Sequence, residues 1–181
     1  KTEVEADVIS AKFSPKANVG IFFGATDTIL TATNLNNKDD NCKNLQYLFA
    51  NIKYDVAADS YTLLLLNDKE QFGKSQPDSA NITEEASVAL DKATYSINDT
   101  DEITLKVDFD KDGNVKISVN GIEAISKTGL APYGKKCGVI APTTEYGTRG
   151  ALDVIYTVND FTIGEPAPAP TPDPEPTPDP E

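Results

Sequence analysis

The sequence predicts an all-β fold, one antiparallel β-sandwich over residues 1–164, followed by an acidic proline-rich linker over residues 165–181. Three observations carry this expectation. Apolar residues recur at every second position through most of the chain, turn-forming residues separate those runs, and no helical segments alternate with them. Many strands joined by local turns build a sandwich rather than an α/β sheet.

The strongest local signal is a hairpin. Ile103, Leu105, Val107 and Phe109 alternate with polar residues, and so do Val115, Ile117 and Val119. Between them, Asp110-Lys111-Asp112-Gly113-Asn114 supplies the positive φ angles of a tight connection. A second turn follows at Asn120-Gly121. Further strands are expected at 4–13, 19–25, 45–54, 61–67, 137–141, 152–158 and 160–163, and a weakly periodic helical turn at 83–93. Leu63 to Leu66 is apolar on both faces, which predicts a central strand covered on each side. Long connections remain at 26–44 and 71–81, a length that in a compact domain is usually functional or disordered.

The last 17 residues hold eight prolines and no large apolar side chain, so they build no core. Net charge is −13; the tail supplies five acids and no base, which leaves −8 for residues 1–164. Such a surface repels phosphates, so nucleic acid and anionic membranes are not expected partners. No apolar run approaches the roughly 20 residues of a membrane helix, so membrane insertion is not expected either. A chain that opens at Lys1 and holds no methionine is expected of a mature or trimmed secreted segment. Cys42 and Cys137 are the only cysteines. In a secreted chain they read as a disulfide closing a loop of about 96 residues, which stabilises by roughly 4–5 kcal/mol in the chain-entropy account. The alternative is two separate buried thiols. With no histidine beside them, a structural zinc site is not expected.

The segment order carries a resemblance. "EADVIS" leads into "ANVGIFFGA", then "YTLLLL", "DEITLKVDFDKDGNVKISVNG", "GKKCGVIA" and a closing "VNDFTI". Over residues 4–163 this resembles the concanavalin A-like lectin/glucanase superfamily, in particular laminin-G-like jelly rolls of the carbohydrate-binding-module type. The resemblance implies a jelly-roll sandwich that commonly binds carbohydrate, sometimes hydrolyses it, and sometimes binds protein. The tail resembles the Pro-Thr-Asp/Glu linkers of modular bacterial surface and polysaccharide-degrading proteins. Alternating proline enforces polyproline II, so at about 3.1 Å per residue the tail spans roughly 50 Å and tethers the domain to further domains of the same protein.

Catalysis is not expected. Without histidine, nucleophile–histidine arrangements are excluded. Superfamily glucanases place paired carboxylates on one strand as Glu-x-Asp-x-x-Glu, whereas here the nearest string is Glu3-Val4-Glu5-Ala6-Asp7, in the wrong order. Asp108, Asp110, Asp112 and Asn114 mimic the start of a calcium loop with Gly113 at its sixth position, but Lys116 and Val119 stand where the later ligands belong. No cofactor is required. A structural calcium, which jelly-roll lectins often carry, would draw on the oxygen-rich loop containing Asp39 and Asp40.

Sugar rings stack their C–H faces on aromatic side chains while amides, acids and guanidinium groups fork onto the hydroxyls. The chain has no tryptophan, so a platform must use tyrosine or phenylalanine. Phe109 and Phe161 alternate with polar neighbours and read as core; Phe13, Phe22 and Phe23 are ambiguous. The ligand-binding candidates are Tyr47, Tyr54, Tyr61, Tyr133 and Tyr146, with Tyr156 a further tyrosine of the same kind. Arg149, the one arginine, joins them in the polar segment 143–149. The expected function is thus a non-catalytic carbohydrate-binding module of a secreted or cell-surface multidomain bacterial protein. Its ligand is expected to be a neutral polysaccharide or oligosaccharide, starch or another plant glucan among them. The alternative is a surface adhesion or structural spacer domain that binds protein.

Overall fold

Period-two alternation gives each strand one apolar face to bury, and two sheets meeting on those faces satisfy all of them at once. A computed structural model of the chain describes residues 6–26, 46–69, 82–140 and 157–164. Ten strands build it: β1 (Ala6–Phe13), β2 (Val19–Ala25), β3 (Tyr47–Asp55), β4 (Ser60–Asp68), β5 (Ile82–Leu90), β6 (Ile103–Asp110), β7 (Val115–Val119), β8 (Ile122–Lys127), β9 (Lys136–Ile140) and β10 (Val158–Gly164). The first sheet has the order β10-β1-β6-β7-β8 and the second β5-β4-β3-β2-β9. Every neighbouring pair is antiparallel. The chain crosses between sheets after β1, β5, β8 and β9, and these crossings make the jelly-roll sandwich the resemblance implies. Among the described residues no helix is long and apolar enough to cross a membrane.

The main core lies between the sheets. Ile9, Ala11 and Phe13 of β1 and Ile103, Leu105 and Val107 of β6 meet Ile21 and Phe23 of β2, Ala50 and Ile52 of β3, and Leu63 and Leu65 of β4. Phe109 stacks on Phe23 with ring centroids 5.1 Å apart. Burying each of the larger side chains contributes about 1.5–3 kcal/mol. Strand β4 lies inside the second sheet, and its leucines divide as expected. Leu63 and Leu65 enter the main core, while Leu66 joins Ala25, Tyr47 and Phe49 in a smaller cluster on the sheet's other face.

The hairpin over 110–114 forms as expected. Gly113 has φ 80°, and the Asp110 carboxylate accepts bonds from the backbone N–H groups of Asp112 and Asn114 and from Asn114 Nδ2 (2.9, 3.0 and 2.7 Å). Its oxygens hold the turn, so the calcium-loop likeness is explained by hairpin chemistry. The second turn places Asn120 and Gly121 at φ 49° and 82°.

Three expectations change. Residues 82–90 form a strand, not a helical turn; a register shift opposite Leu65/Leu66 inverts the phase of β5 and hides its alternation. A single helical turn follows instead, where Asp91 accepts from Thr94 N (2.8 Å) and Tyr95 N closes on Asp91 O (3.0 Å). Strand β8 had no counterpart in the sequence reading. Phe161 is 40% exposed rather than core, because β10 is the outermost strand of its sheet and has a neighbour on one side only. The strand expected at 152–158 lies outside the described residues up to 156.

Candidate functional site

Register places side chains in rows across the outer face of the second sheet, the face turned away from the main core. One row joins Tyr47, Asp68 and Ile82. The next runs Gly138, Phe22, Phe49, Leu66 and Glu84. A third runs Gly20, Asn51, Leu64 and Ser87, and a fourth joins Lys53, Thr62 and Ala89. The face is therefore apolar and aromatic at its centre and polar at its margins. Tyr47 bridges the two phenylalanines, 6.1 Å from Phe22 edge-on and 5.4 Å from Phe49. Phe22 and Leu64 are half-buried, and Glu84 and Ser87 are exposed.

A polar network closes the end of the second sheet where β2 and β4 finish and β3 and β5 begin, on its core-facing side, since Asn67 stands opposite the core residue Leu48. Tyr133 donates its hydroxyl to Asn67 Oδ1 (2.7 Å), and Asn67 Nδ2 donates to Glu85 Oε1 (3.0 Å). Lys69 Nζ lies 3.8 Å from the same carboxylate, and Gln46 Nε2 donates to Lys69 O (2.7 Å). Burial pushes the Tyr133 phenol up; the bond to Asn67 opposes this, while the charges of Glu85 and Asp68 add to it.

Two glycines put Tyr133 there. The backbone N–H groups of Tyr133 and Gly134 both donate to Gly24 O, at 2.9 and 3.0 Å. Gly24 has φ 59°, and a Cβ at that position would meet Pro132 Cβ at 2.7 Å; one at Gly134 would meet Ala25 O at 2.2 Å. Side chains at either position would push the connection away from β2, and Tyr133 with it.

The opposite end holds a second tyrosine pair. Tyr54 and Tyr61 face each other across β3 and β4 with centroids 4.8 Å apart. Tyr61 is 1% exposed and its oxygen accepts from Lys16 N (3.0 Å), so it is a core residue with a satisfied hydroxyl and not a stacking platform. Tyr54 donates to Asp59 Oδ1 (2.9 Å), and Lys92 Nζ stands 2.7 Å from Asp59 and 5.7 Å from the Tyr61 ring centroid. Lys92 and then Tyr54 hold the Asp59 carboxyl below its ordinary range. Lys16 reaches Asp99 at 2.7 Å. The opposite charges here are mutually paired, which makes this end a stitch between connections.

The sequence candidates therefore separate. Tyr47 belongs to the outer face of the second sheet, although it is itself buried; Tyr133 belongs to the network on the core-facing side at that end, and Tyr54 and Tyr61 belong to the far end. Tyr146, Arg149, Asp39, Asp40 and Cys42 lie outside the described residues. Cys137 is half-buried on β9 against the main core. Among the described residues no group of three or more histidine, cysteine or acidic side chains is placed to hold a metal ion. Sequence reasoning missed Asn51, Asn67 and Asp68, all buried. The available signal was an amide or acid standing within or at the end of an otherwise apolar strand.

Comparison with protein-family models gives no match, and neither does comparison with curated protein sequences. Solved structures similar to this chain include the carbohydrate-binding module CBM66 from Bacillus subtilis, with 11% identity, a TM-score of 0.47, and 88% of this chain covering 74% of that one. Alginate lyase PA1167 from Pseudomonas aeruginosa has 9% identity and a TM-score of 0.47, over 90% of this chain and 66% of that one. The Emp47p carbohydrate recognition domain has 16% identity and a TM-score of 0.44, over 75% and 62%. At this level the likeness is one of fold alone.

Proposed function

We propose that this chain is a non-catalytic carbohydrate-binding module that holds a neutral polysaccharide against the outer face of its second sheet. The supporting observation is the row pattern of that face, where half-buried Phe22 and Leu64 stand beside Asn51 and between polar margins. A pyranose ring presents an apolar C–H face and a polar rim, and this surface presents the same two chemistries. Lys53 and, opposite Ala25, exposed Lys136 are cations of this face beside exposed Glu84; the chain's net charge of −13 disfavours uronic or sulfated chains, and glucans such as starch are the first ligands to try. The missing histidine and the missing carboxylate motif support binding without hydrolysis. Carried at the end of its acidic proline-rich linker on a secreted or cell-surface protein, such a module works through multivalency, each site binding modestly.

The test is affinity electrophoresis and calorimetry against soluble starch, mixed-linkage glucan, xylan and alginate. Retardation by one or more of the neutral polymers, with none by alginate, is expected. No retardation by any of the four overturns the reading. A second reading, an adhesion or spacer domain that binds protein, draws on Phe161 and Ile163, which are 40% and 61% exposed on edge strand β10.

A further inference from the structure

Gly138 of β9 is a glycine that its own backbone does not require, because its φ is not positive. Gly20 and Gly134 are held to glycine by neighbouring backbone, since a Cβ there would lie 2.0 Å from Ala50 O and 2.2 Å from Ala25 O. At Gly138 the obstacle is a side chain. A Cβ there would lie 2.6 Å from Phe22 Cε1 and 2.8 Å from Phe22 Cζ. Gly138 stands opposite Phe22 across β2 and β9, so the ring leans off its own strand into the volume a side chain at 138 would take. The same ring meets Tyr47 edge-on at 6.1 Å. Of the three rings of this face, Tyr47 and Phe49 are buried, and Phe22 keeps exposed surface.

We infer that Gly138 is the positioning residue of this face, and that it lets the Phe22 ring lean over β9 as a fixed platform on which a sugar ring stacks. This rests on the carbohydrate-binding reading and deepens it. Covering a glycine with a cross-strand aromatic does stabilise a sheet, which explains the bed but not the exposure. Strand β9 is the outermost of its sheet, and alanine or valine at 138 would cover its own backbone without leaving a ring half in water. A ring with two χ angles, held by its glycine bed and by Tyr47, has little freedom left to lose when a ligand stacks on it. The C–H faces of a pyranose are the apolar partner that such a ring takes. Gly138 acts through Phe22 and has no need to touch the sugar itself.

The test uses the whole chain, with soluble starch, mixed-linkage glucan and xylan as probes. Phe22→Leu keeps an apolar side chain but removes the ring, and should bind the retained polymer about tenfold more weakly. Gly138→Ala meets the far end of a side chain rather than backbone, so it should swing the ring aside in a folded domain and weaken binding about three- to tenfold. In the Phe22→Leu background the same change at 138 should cost no further affinity, because the ring it displaces is gone. Phe22→Trp gives the chain its only tryptophan, whose fluorescence emission should change when the retained polymer binds. That variant carries the test if the leucine or alanine variant does not fold. Wild-type affinity in Phe22→Leu, or tryptophan emission that ignores bound polymer, overturns the platform. No loss from Gly138→Ala, or an equal loss with and without the Phe22 ring, overturns the positioning role. Each of these results leaves the carbohydrate-binding reading intact. A wild type retained by none of the three polymers overturns that reading, and this inference falls with it.

Discussion

Replacing Tyr133 by phenylalanine removes one oxygen atom, and the structure states what that oxygen does. It donates to Asn67 Oδ1 at 2.7 Å, and Asn67 is 5% exposed, so water does not readily replace the lost donor. Asn67 then keeps only the bond from its Nδ2 to Glu85. A net hydrogen bond contributes about 0.5–1.5 kcal/mol and an orphaned buried acceptor costs about 1–3, which brackets the change near 1–2 kcal/mol. For a domain of this size that is a fall of roughly 2–8 °C in melting temperature. Urea denaturation followed by far-ultraviolet circular dichroism measures it as a lower midpoint at unchanged slope. The same substitution in an Asn67→Ala background should cost much less, because the partner is already gone. If Tyr133→Phe leaves the midpoint where it was, or costs the same with and without Asn67, the network does not hold this end of the sheet together.

Other perturbations separate the remaining contributions. Gly134→Ala places a Cβ against the Ala25 carbonyl, while Gly129 has φ 80° but open space around it. Gly134→Ala meets the clash without a positive φ, and Gly129→Ala meets a positive φ without a clash. Both should destabilise, the first by about 1–3 kcal/mol and the second by about 1–2, as read by equilibrium denaturation. The Asp110 carboxyl lies below its ordinary range, chiefly through the bond from Asn114. A depressed folded-state value gives stability that is full above the unfolded value, near 3.9, and lost as pH falls through the lower folded one. Asp110→Asn should therefore be less stable than wild type at pH 6, with the gap closing as pH drops below about 4; a gap independent of pH refutes the role given to the charge.

The inner half of this fold was legible because core-facing positions obey one rule. Ile103, Leu105 and Val107, or Val115, Ile117 and Val119, alternate without interruption, and their strands followed directly. Where a bulge resets the phase, as at Glu84 and Glu85, the rule gives the wrong period and the strand reads as something else. Edge strands suffer differently. Phe161 and Ile163 alternate as core residues do, yet their exposure depends on how many neighbours the sheet supplies, which no local pattern records. The tyrosines show the limit for a site. All were chosen for their polar handle, but Tyr61 uses its hydroxyl to accept from Lys16 inside the fold, whereas Tyr133 uses its own to reach a strand 66 residues away in sequence. Residue type names what a side chain is able to do, and only long-range pairing decides which of those things it does.

The two outer faces of the sandwich sharpen where a ligand belongs. On the first sheet, register aligns Ser10, Lys106 and Ser118, then Lys12 with Thr104, and Asp108 with Lys116. These rows hold no aromatic ring. Lys106 stands 3.0 Å from Asp108, and Lys12 donates to Asp160, so much of the charge is already answered within the chain. Such a face is well hydrated and, with half-buried Val8 opposite Asp108 as the apolar side chain in these rows, offers a sugar little apolar contact to offset the loss of its water. The second sheet reverses each condition. Phe49 and Leu66 lie on the side away from the main core, where a one-sided sheet would place polar residues, and Asn51 lies among apolar side chains, where an ordinary core would place another hydrophobe. Asn51 costs stability when taken alone, whereas Phe49 and Leu66, 0% and 4% exposed, contribute by their burial. On the carbohydrate-binding reading proposed above, the half-buried Phe22 and Leu64 are the side chains of this face that give a sugar ring its apolar contact.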